Sequence, residues 1–300
     1  MKILITGSNG LLGQKLVNQL ASNPDIELMA TGRGANRNPE GNYNYTSLDI
    51  TEKEQVERVI TGFSPDIIIN TAAMTQVDQC ETEPEECWKL NVTAVEHLVE
   101  ASEKTESFFI HLSTDFVFDG EDGPYAEEDQ PNPLSHYAES KLASEAVLKK
   151  SSIRWAIVRT MLVYGIAHDM SRSNIILWVK KSLEQKKHIR VVNDQWRMPT
   201  LAEDLAEGCM MIARQQAEGV FHISGKDLLT PYDIAVKTAD YFNLDKKLIQ
   251  EVDGSVFTQK AKRPAKTGFV LNKAKEVLGY EPVSFQEGLK ILDQQLSFLN

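Results

Sequence analysis

The first 165 residues alternate between short apolar runs and longer amphipathic stretches. "KILIT" (2–6) is a strand-like run. "GSNGLLGQKLVNQLAS" turns through glycines and then places Leu12, Leu16, Val17 and Leu20 on one stripe, the spacing of a helix with one buried face. "IELMAT" (26–31) and "YTSLDI" (45–50) predict two more strands, followed by a polar helix around 52–62. "PDIIINTAA" (65–73) and "SFFIHLST" (107–114) are apolar throughout their centres, with a helix near 84–104 between them. A helix around Tyr137 then precedes "RWAIVRT" (154–160). Strands that do not alternate are buried on both faces, and helices between them make the sheet parallel. The pattern predicts an α/β fold, a doubly wound parallel sheet of Rossmann type, whose ligands bind at the carboxyl ends of its strands.

Beyond residue 165 the regularity weakens. A helix is expected at 174–187, a strand at 189–194 and another at 218–225. A further helix spans 230–243, with Thr230 as N-cap and Pro231 at its first position, and the last runs near 284–299. The expected organisation is a dinucleotide-binding domain over 1–165, to which the strands near 189–194 and 218–225 return. A smaller, interleaved C-terminal α/β substrate lobe occupies 166–300.

Composition narrows the function. The chain has 300 residues and a net charge of −11, which argues against nucleic acid or a membrane surface as a partner. No apolar run approaches the ~18 residues of a membrane span. The three cysteines, Cys80, Cys87 and Cys209, form no CxxC, and the six histidines lack metal-ligand spacing. Reduced thiols, no metal and a cytoplasmic location are expected.

Three motifs carry chemistry. In "TGSNGLLG", Gly7, Gly10 and Gly13 follow a strand and open a helix, where a tight turn lets backbone approach a pyrophosphate and the helix N-terminus offers free N–H groups. The second strand ends "ATGRG", without the acid that accepts from an NAD ribose. Arg33 stands there instead and suits a 2′-phosphate, so NADPH is favoured over NADH. Asp49, ending "SLDI", is a candidate acceptor for the adenine amino group. "STDFVFDG" (113–120) puts Thr114 at the end of a buried strand, able to donate to a carbonyl. "SHYAESKLASE" (135–145) sets Tyr137 and Lys141 four residues apart, on one helix face.

Together these residues resemble the extended short-chain dehydrogenase/reductases. "TAAMTQVDQCE", "STDFVFDG", "YAESKLASE", "RTMLVYG", "NDQWRMPT" and "RPAKTGF" occur in the order found in dTDP-4-dehydrorhamnose reductases. The resemblance covers nearly the whole chain. It implies hydride transfer to the C4 ketone of a nucleotide-linked sugar. Tyr137 would be the proton donor, its phenol lowered by Lys141 and the nicotinamide, with Thr114 polarising the carbonyl and Asn91 in a proton relay. It also implies cofactor contacts at Gly7, Asn9, Gly10, Leu11, Leu12, Gly13, Arg33, Asp49, Ile50, Ala72, Ala73, Tyr137 and Lys141. Substrate contacts fall on Asp115, Arg197 and Arg263, with Lys260, Lys262 and Lys266 as further diphosphate candidates, and a homodimer is compatible with it.

The chain departs from the family pattern at Leu162, where a Trp is usual, at Trp196, Arg197 and Met198, and in "AKTG" after the final "RP"; all three places are expected near the sugar or its phosphates. Gln14 and Lys15 stand near where some members carry a metal-binding Glu. Two rivals stay open. A dehydratase or epimerase shares the fold, but dehydratases place a Glu where Phe116 stands. "QWRMPT" and "DFVFDG" also resemble the non-catalytic β subunit of methionine adenosyltransferase.

Overall fold

The computed structural model describes residues 1–38, 41–169 and 173–299. In chain order the elements are β1 (Lys2–Thr6), α1 (Leu11–Leu20), β2 (Glu27–Gly32), β3 (Asn44–Ser47), α2 (Lys53–Phe63), β4 (Ile67–Asn70), α3 (Val77–Thr82), α4 (Pro84–Trp88), α5 (Ala94–Glu103), β5 (Phe108–Thr114) and α6 (His136–Lys150). The second half holds β6 (Trp155–Thr160), β7 (Val163–Tyr164), α7 (Ile175–Glu184), β8 (Ile189–Val192), β9 (Thr200–Leu201), α8 (Ala202–Gln215), β10 (Gly219–His222), α9 (Pro231–Tyr241), β11 (Ile249–Val252) and α10 (Phe285–Leu299). A π-helical turn, Lys89–Thr93, joins α4 to α5.

Seven strands form one parallel sheet in the order β10-β6-β5-β4-β1-β2-β3. The order reverses between β1 and β4, which opens the crevice where such sheets bind ligands. The apolar runs are continuous because both faces are covered. Ile3, Ile5, Ile67, Ile69, Ile110 and Val158 pack on the side of α1 and α8, while Leu4, Ile68, Phe109 and Ile157 pack on the side of α2, α5 and α6. Successive residues of one strand thus serve two cores. Among the described residues, no helix is long and apolar enough to cross a membrane.

Two expectations about the second half are corrected. The strand at 189–192 does not return to the large sheet; it pairs in parallel with β11 in a separate two-stranded sheet. Ile189 and Val191 are buried while Arg190 is exposed, the pattern of a strand covered on one face, by α7 and α9. The domain boundary is also less sharp than the expected break at 165. The helix α8, absent from the expected elements, covers the large sheet from the second half of the chain. Its buried stripe joins Ala202, Ala206, Gly208, Cys209 and Ala213 to Leu205, Met210 and Ile212, and its start has no side-chain cap.

Two side chains bind the halves together. Buried Gln14 donates through Nε2 to the carbonyl of His168 (2.8 Å) and accepts through Oε1 from the His168 N–H (2.8 Å). Lys15 Nζ lies 2.7 Å from Glu203 Oε1 on α8 and donates to Gln295 Oε1 on α10.

Candidate active site

The glycine turn is shaped by contact. Gly7 has φ +69°, a region that costs L side chains, and a Cβ there would lie 2.7 Å from the Ala72 nitrogen. A Cβ on Gly13 would lie 2.4 Å from the Gly7 carbonyl oxygen. At Gly10 it would approach only that oxygen, at 3.3 Å, so this glycine leaves room on the cavity side. The first turn of α1 carries no side-chain cap and no acid, leaving its N–H groups to an anion. Asn9 braces the turn, donating through Nδ2 to the Ala35 carbonyl and accepting from the Arg37 N–H. Gly13→Ala should therefore cost on the order of 1–3 kcal/mol and weaken dinucleotide binding. Thermal unfolding and a fluorescence titration of the variant would show both.

Beside this turn lies a cavity of about 770 Å³. Its walls bring together Asn9, Gly10, Leu11, Leu12, Gly13, Ala73, Thr114, Asp115, Tyr137, Lys141, Arg197 and Arg263. Ser135 caps α6, its Oγ accepting from the Ala138 N–H, so Tyr137 sits in the first turn and Lys141 one turn later. Both are buried, as is Thr114 at the end of β5. The Thr114 hydroxyl donates to Asp115 Oδ1 (3.1 Å) and stands near enough to the Tyr137 phenol to influence its proton.

The electrostatics of the protein alone favour the protonated phenol. Burial pushes the Tyr137 phenol well above its ordinary value, and the Thr114 hydroxyl only partly opposes this. The phenol of the isolated protein is neutral, the protonation state that a proton donor needs. Burial pushes Lys141 down to about 8, against the nearby charges of Glu145 and Cys87. Asp115 is raised by burial, which outweighs Arg197 and the Thr267 hydroxyl beside it.

Several anticipated residues have other work. Three of Arg197's N–H groups donate to the carbonyls of Trp196, Ala265 and Pro264, and Nε lies 3.3 Å from Asp115 Oδ2. It lines the cavity but braces Asp115 and the 264–265 segment, so it is not an open diphosphate contact. Asn91 lies in the π-helical turn. Its amide clamps the Met74 backbone in both directions (2.8 and 3.0 Å) and donates to Ser140 Oγ, and it lies outside the cavity lining. Arg263 reaches the cavity and forks onto Asp78 of α3, with N–O distances of 3.2 and 2.7 Å. Lys260 and Lys262 are exposed and Lys266 is half-buried, all outside the cavity lining.

Gly7 and Ala72 lie beneath the turn rather than in the cavity wall, and Ile50 is buried. Arg33 is exposed at the carboxyl end of β2, and Asp49 accepts from the N–H and hydroxyl of Thr51, both on the β1–β2–β3 side of the crevice. Of the divergent positions, Leu162 lines the cavity, Trp196 is exposed between lining residues Gln195 and Arg197, and Met198 packs in a core cluster with Phe118.

Thr160 was not anticipated. It stands opposite Thr114 in the β5–β6 register, lines the cavity, and its buried Oγ has no partner among the described residues. A threonine ending an apolar run is the ordinary close of a strand, so sequence offered only its register beside Thr114. The buried orphan hydroxyl and the open glycine cradle fit a polar ligand such as a nicotinamide dinucleotide.

Comparison with known proteins places this site. The family described as the RmlD substrate binding domain matches residues 1–297. The chain is 32% identical to dTDP-4-dehydrorhamnose reductase of Aggregatibacter actinomycetemcomitans, over 96% of this chain and 97% of that one. The chain belongs to the dTDP-4-dehydrorhamnose reductase family. Members of this family are oxidoreductases of the extended short-chain dehydrogenase/reductase type. The structure of dTDP-4-dehydrorhamnose reductase from Bacillus anthracis str. Ames in complex with NADP superposes with a TM-score of 0.85 at 28% identity, covering 98% of this chain and 99% of that one. Methionine adenosyltransferase 2 subunit beta of Bos taurus is also similar, 30% identical over 85% of this chain and 76% of that one.

Proposed function

We propose that this protein uses NADPH to reduce the C4 ketone of a nucleotide-linked 4-keto-6-deoxy sugar, with dTDP-4-dehydrorhamnose as substrate and dTDP-L-rhamnose as product. The observation that carries the reading is the convergence of Thr114, Tyr137 and Lys141 on the cavity that the glycine turn opens. When bound, the dinucleotide supplies the hydride. Gly10, Leu11 and Leu12 would hold its pyrophosphate, Lys141 its nicotinamide ribose, and Arg33 its 2′-phosphate. Tyr137 donates its phenolic proton to the oxygen that becomes the new hydroxyl, and the Thr114 hydroxyl supports that oxygen as charge develops. Arg263 is the cation left to meet the sugar diphosphate, exchanging its Asp78 partner for phosphate oxygens. The residue following Thr114 and Asp115 in the cavity wall is Phe116, edge-on to Tyr137, and it offers no second acid for dehydration.

The likeness to the methionine adenosyltransferase subunit favours a second reading, a dinucleotide-binding regulatory subunit without turnover. Nicotinamide oxidation at 340 nm with dTDP-4-keto-6-deoxy-L-mannose separates the two. Steady turnover establishes the reductase, and binding of NADPH without turnover favours the subunit. Arg33→Ala should raise KM for NADPH by roughly 10–100-fold and leave that for NADH nearly unchanged. Equal effects on both would remove Arg33 from the 2′-phosphate.

A further inference from the structure

Lys141 is a buried cation with three N–H donors to satisfy. Among the described residues, the one hydrogen bond its Nζ makes is to His111 Nε2, at 3.2 Å. His111 lies in β5, three residues before Thr114, and is fully buried. Its ring is neutral, because burial, and then the charge of Lys141, hold it well below the ordinary imidazole value.

We propose that His111 is a positioning residue of the reductase, its Nε2 lone pair accepting from the Lys141 ammonium and fixing where that charge sits beside Tyr137. The proposal rests on the reductase reading.

The hydrogen-bond chain behind the ring allows two arrangements. His111 Nδ1 faces the Asn70 amide (3.0 Å), Asn70 faces the Thr6 hydroxyl, and His111 Nε2 also lies 2.9 Å from Ser144 Oγ. In the first arrangement Thr6 donates to Asn70 Oδ1, Asn70 Nδ2 donates to Nδ1, and Nε2–H donates to Ser144 Oγ, whose own proton goes to the Lys141 carbonyl. Every group on the chain is then satisfied, but the ammonium faces an N–H at 3.2 Å and has no acceptor. In the second the amide is turned. Asn70 Oδ1 accepts from Nδ1–H, Asn70 Nδ2 donates to Thr6 Oγ, and the Nε2 lone pair accepts from the ammonium, while Ser144 Oγ loses the Nε2–H donor and the Thr6 hydroxyl loses its acceptor. A buried ammonium without an acceptor costs more than the two neutral bonds given up at Ser144 and Thr6, so a protonated lysine selects the second arrangement.

Other ionisable groups do not take over this task. On α6 itself, Tyr137 is neutral, and Glu145 is bound to Arg159 of β6 and to Lys149. Beyond β5, Asp115 is paired with Arg197. From α4, Cys87 bonds to Ser140 and Asn91, and from β4 the ring meets only the uncharged Asn70.

The test reads the ring and the rate separately. Long-range ¹H–¹⁵N spectra of the full chain at neutral pH, with the His111 signal identified by its loss in His111→Gln, should show protonated Nδ1 and bare Nε2. An Nε2–H ring would overturn the proposal. In His111→Leu the ammonium loses its acceptor, so the alkaline limb of kcat/KM should move to lower pH by about one unit. His111→Gln, which offers an amide oxygen near the Nε2 position, should restore most of the shift. A uniform fall in rate with the limb unmoved in both variants would also overturn it. A wild-type chain without turnover would sink the reductase reading instead, and the ring spectra would still decide whether His111 accepts from Lys141.

Discussion

Tyr137→Phe is expected to lower kcat for keto-sugar reduction by roughly 10²–10⁴-fold while changing dinucleotide affinity by no more than about tenfold, the worth of one hydrogen bond. The ring itself is retained, so the packing against Phe116 and the buried position near Met74 and Cys80 survive. What disappears is the only proton that the phenol can give. Thr114 keeps its bonds to Asp115 and the Phe116 N–H, so the strand end should stay in place. Stopped-flow hydride transfer and equilibrium dinucleotide binding on the same preparation would check both halves of the expectation. Turnover within a few-fold of the wild type would remove Tyr137 as the donor.

The largest stability effect is expected behind the site, at Arg159. Its guanidinium forks onto Glu145, with Nε–Oε1 2.9 Å and Nη2–Oε2 2.8 Å, and both residues are almost wholly buried. Burial alone would raise the Glu145 carboxyl. Arg159, Lys149 and the Ser113 hydroxyl together outweigh it and hold the group below its usual value. In the native protein that carboxylate contributes stability above the unfolded pKa of about 4.3, lost as pH falls through the lower folded value.

Arg159→Met leaves the buried charge with only Lys149 and the Ser113 hydroxyl and should cost about 3–5 kcal/mol. Glu145 then becomes a buried acid with a raised pKa, so the sign reverses. The penalty is full near pH 7 and shrinks on acidification toward pH 4, as the carboxyl takes up a proton. Adding Glu145→Leu should recover much of the loss at neutral pH. Urea unfolding of the wild type, the single and the double variants at both pH values would test this. A deficit equal at the two pH values would mean that packing, not charge, is what Arg159 supplies.

Much of the fold was legible in the sequence because a doubly covered strand announces itself. "IIIN" and "FFIHLST" have no polar face to confuse the reading, and β1 begins and ends where the apolar run does. The cradle was legible because only glycine fits where backbones meet at Gly7 and Gly13. The pair on α6 was legible by spacing. The rest depended on partners that spacing does not encode. Helix α8 starts after Leu201 without a capping side chain to mark it, and β8 alternates in a way that suits several sheets. A basic residue in a motif reads as a ligand contact, yet the donors of Arg197 are largely taken by carbonyls and Asp115. A lone histidine inside an apolar run has no pattern at all, and His111 shows its neighbours only when β4 and α6 are laid against β5.

The placement of α8 and β10 bears on how such a protein can be inherited. The helix closes one face of the large sheet and the strand extends its edge, although both follow β8 and β9 of the substrate side in the chain. Gln14 adds a direct tie from the first helix to the loop at His168. The two halves are therefore not exchangeable modules. A change of ligand in such a fold is expected to come by substitution in place, at positions such as Leu162 and Gln195 on the cavity wall, rather than by shuffling one half against another.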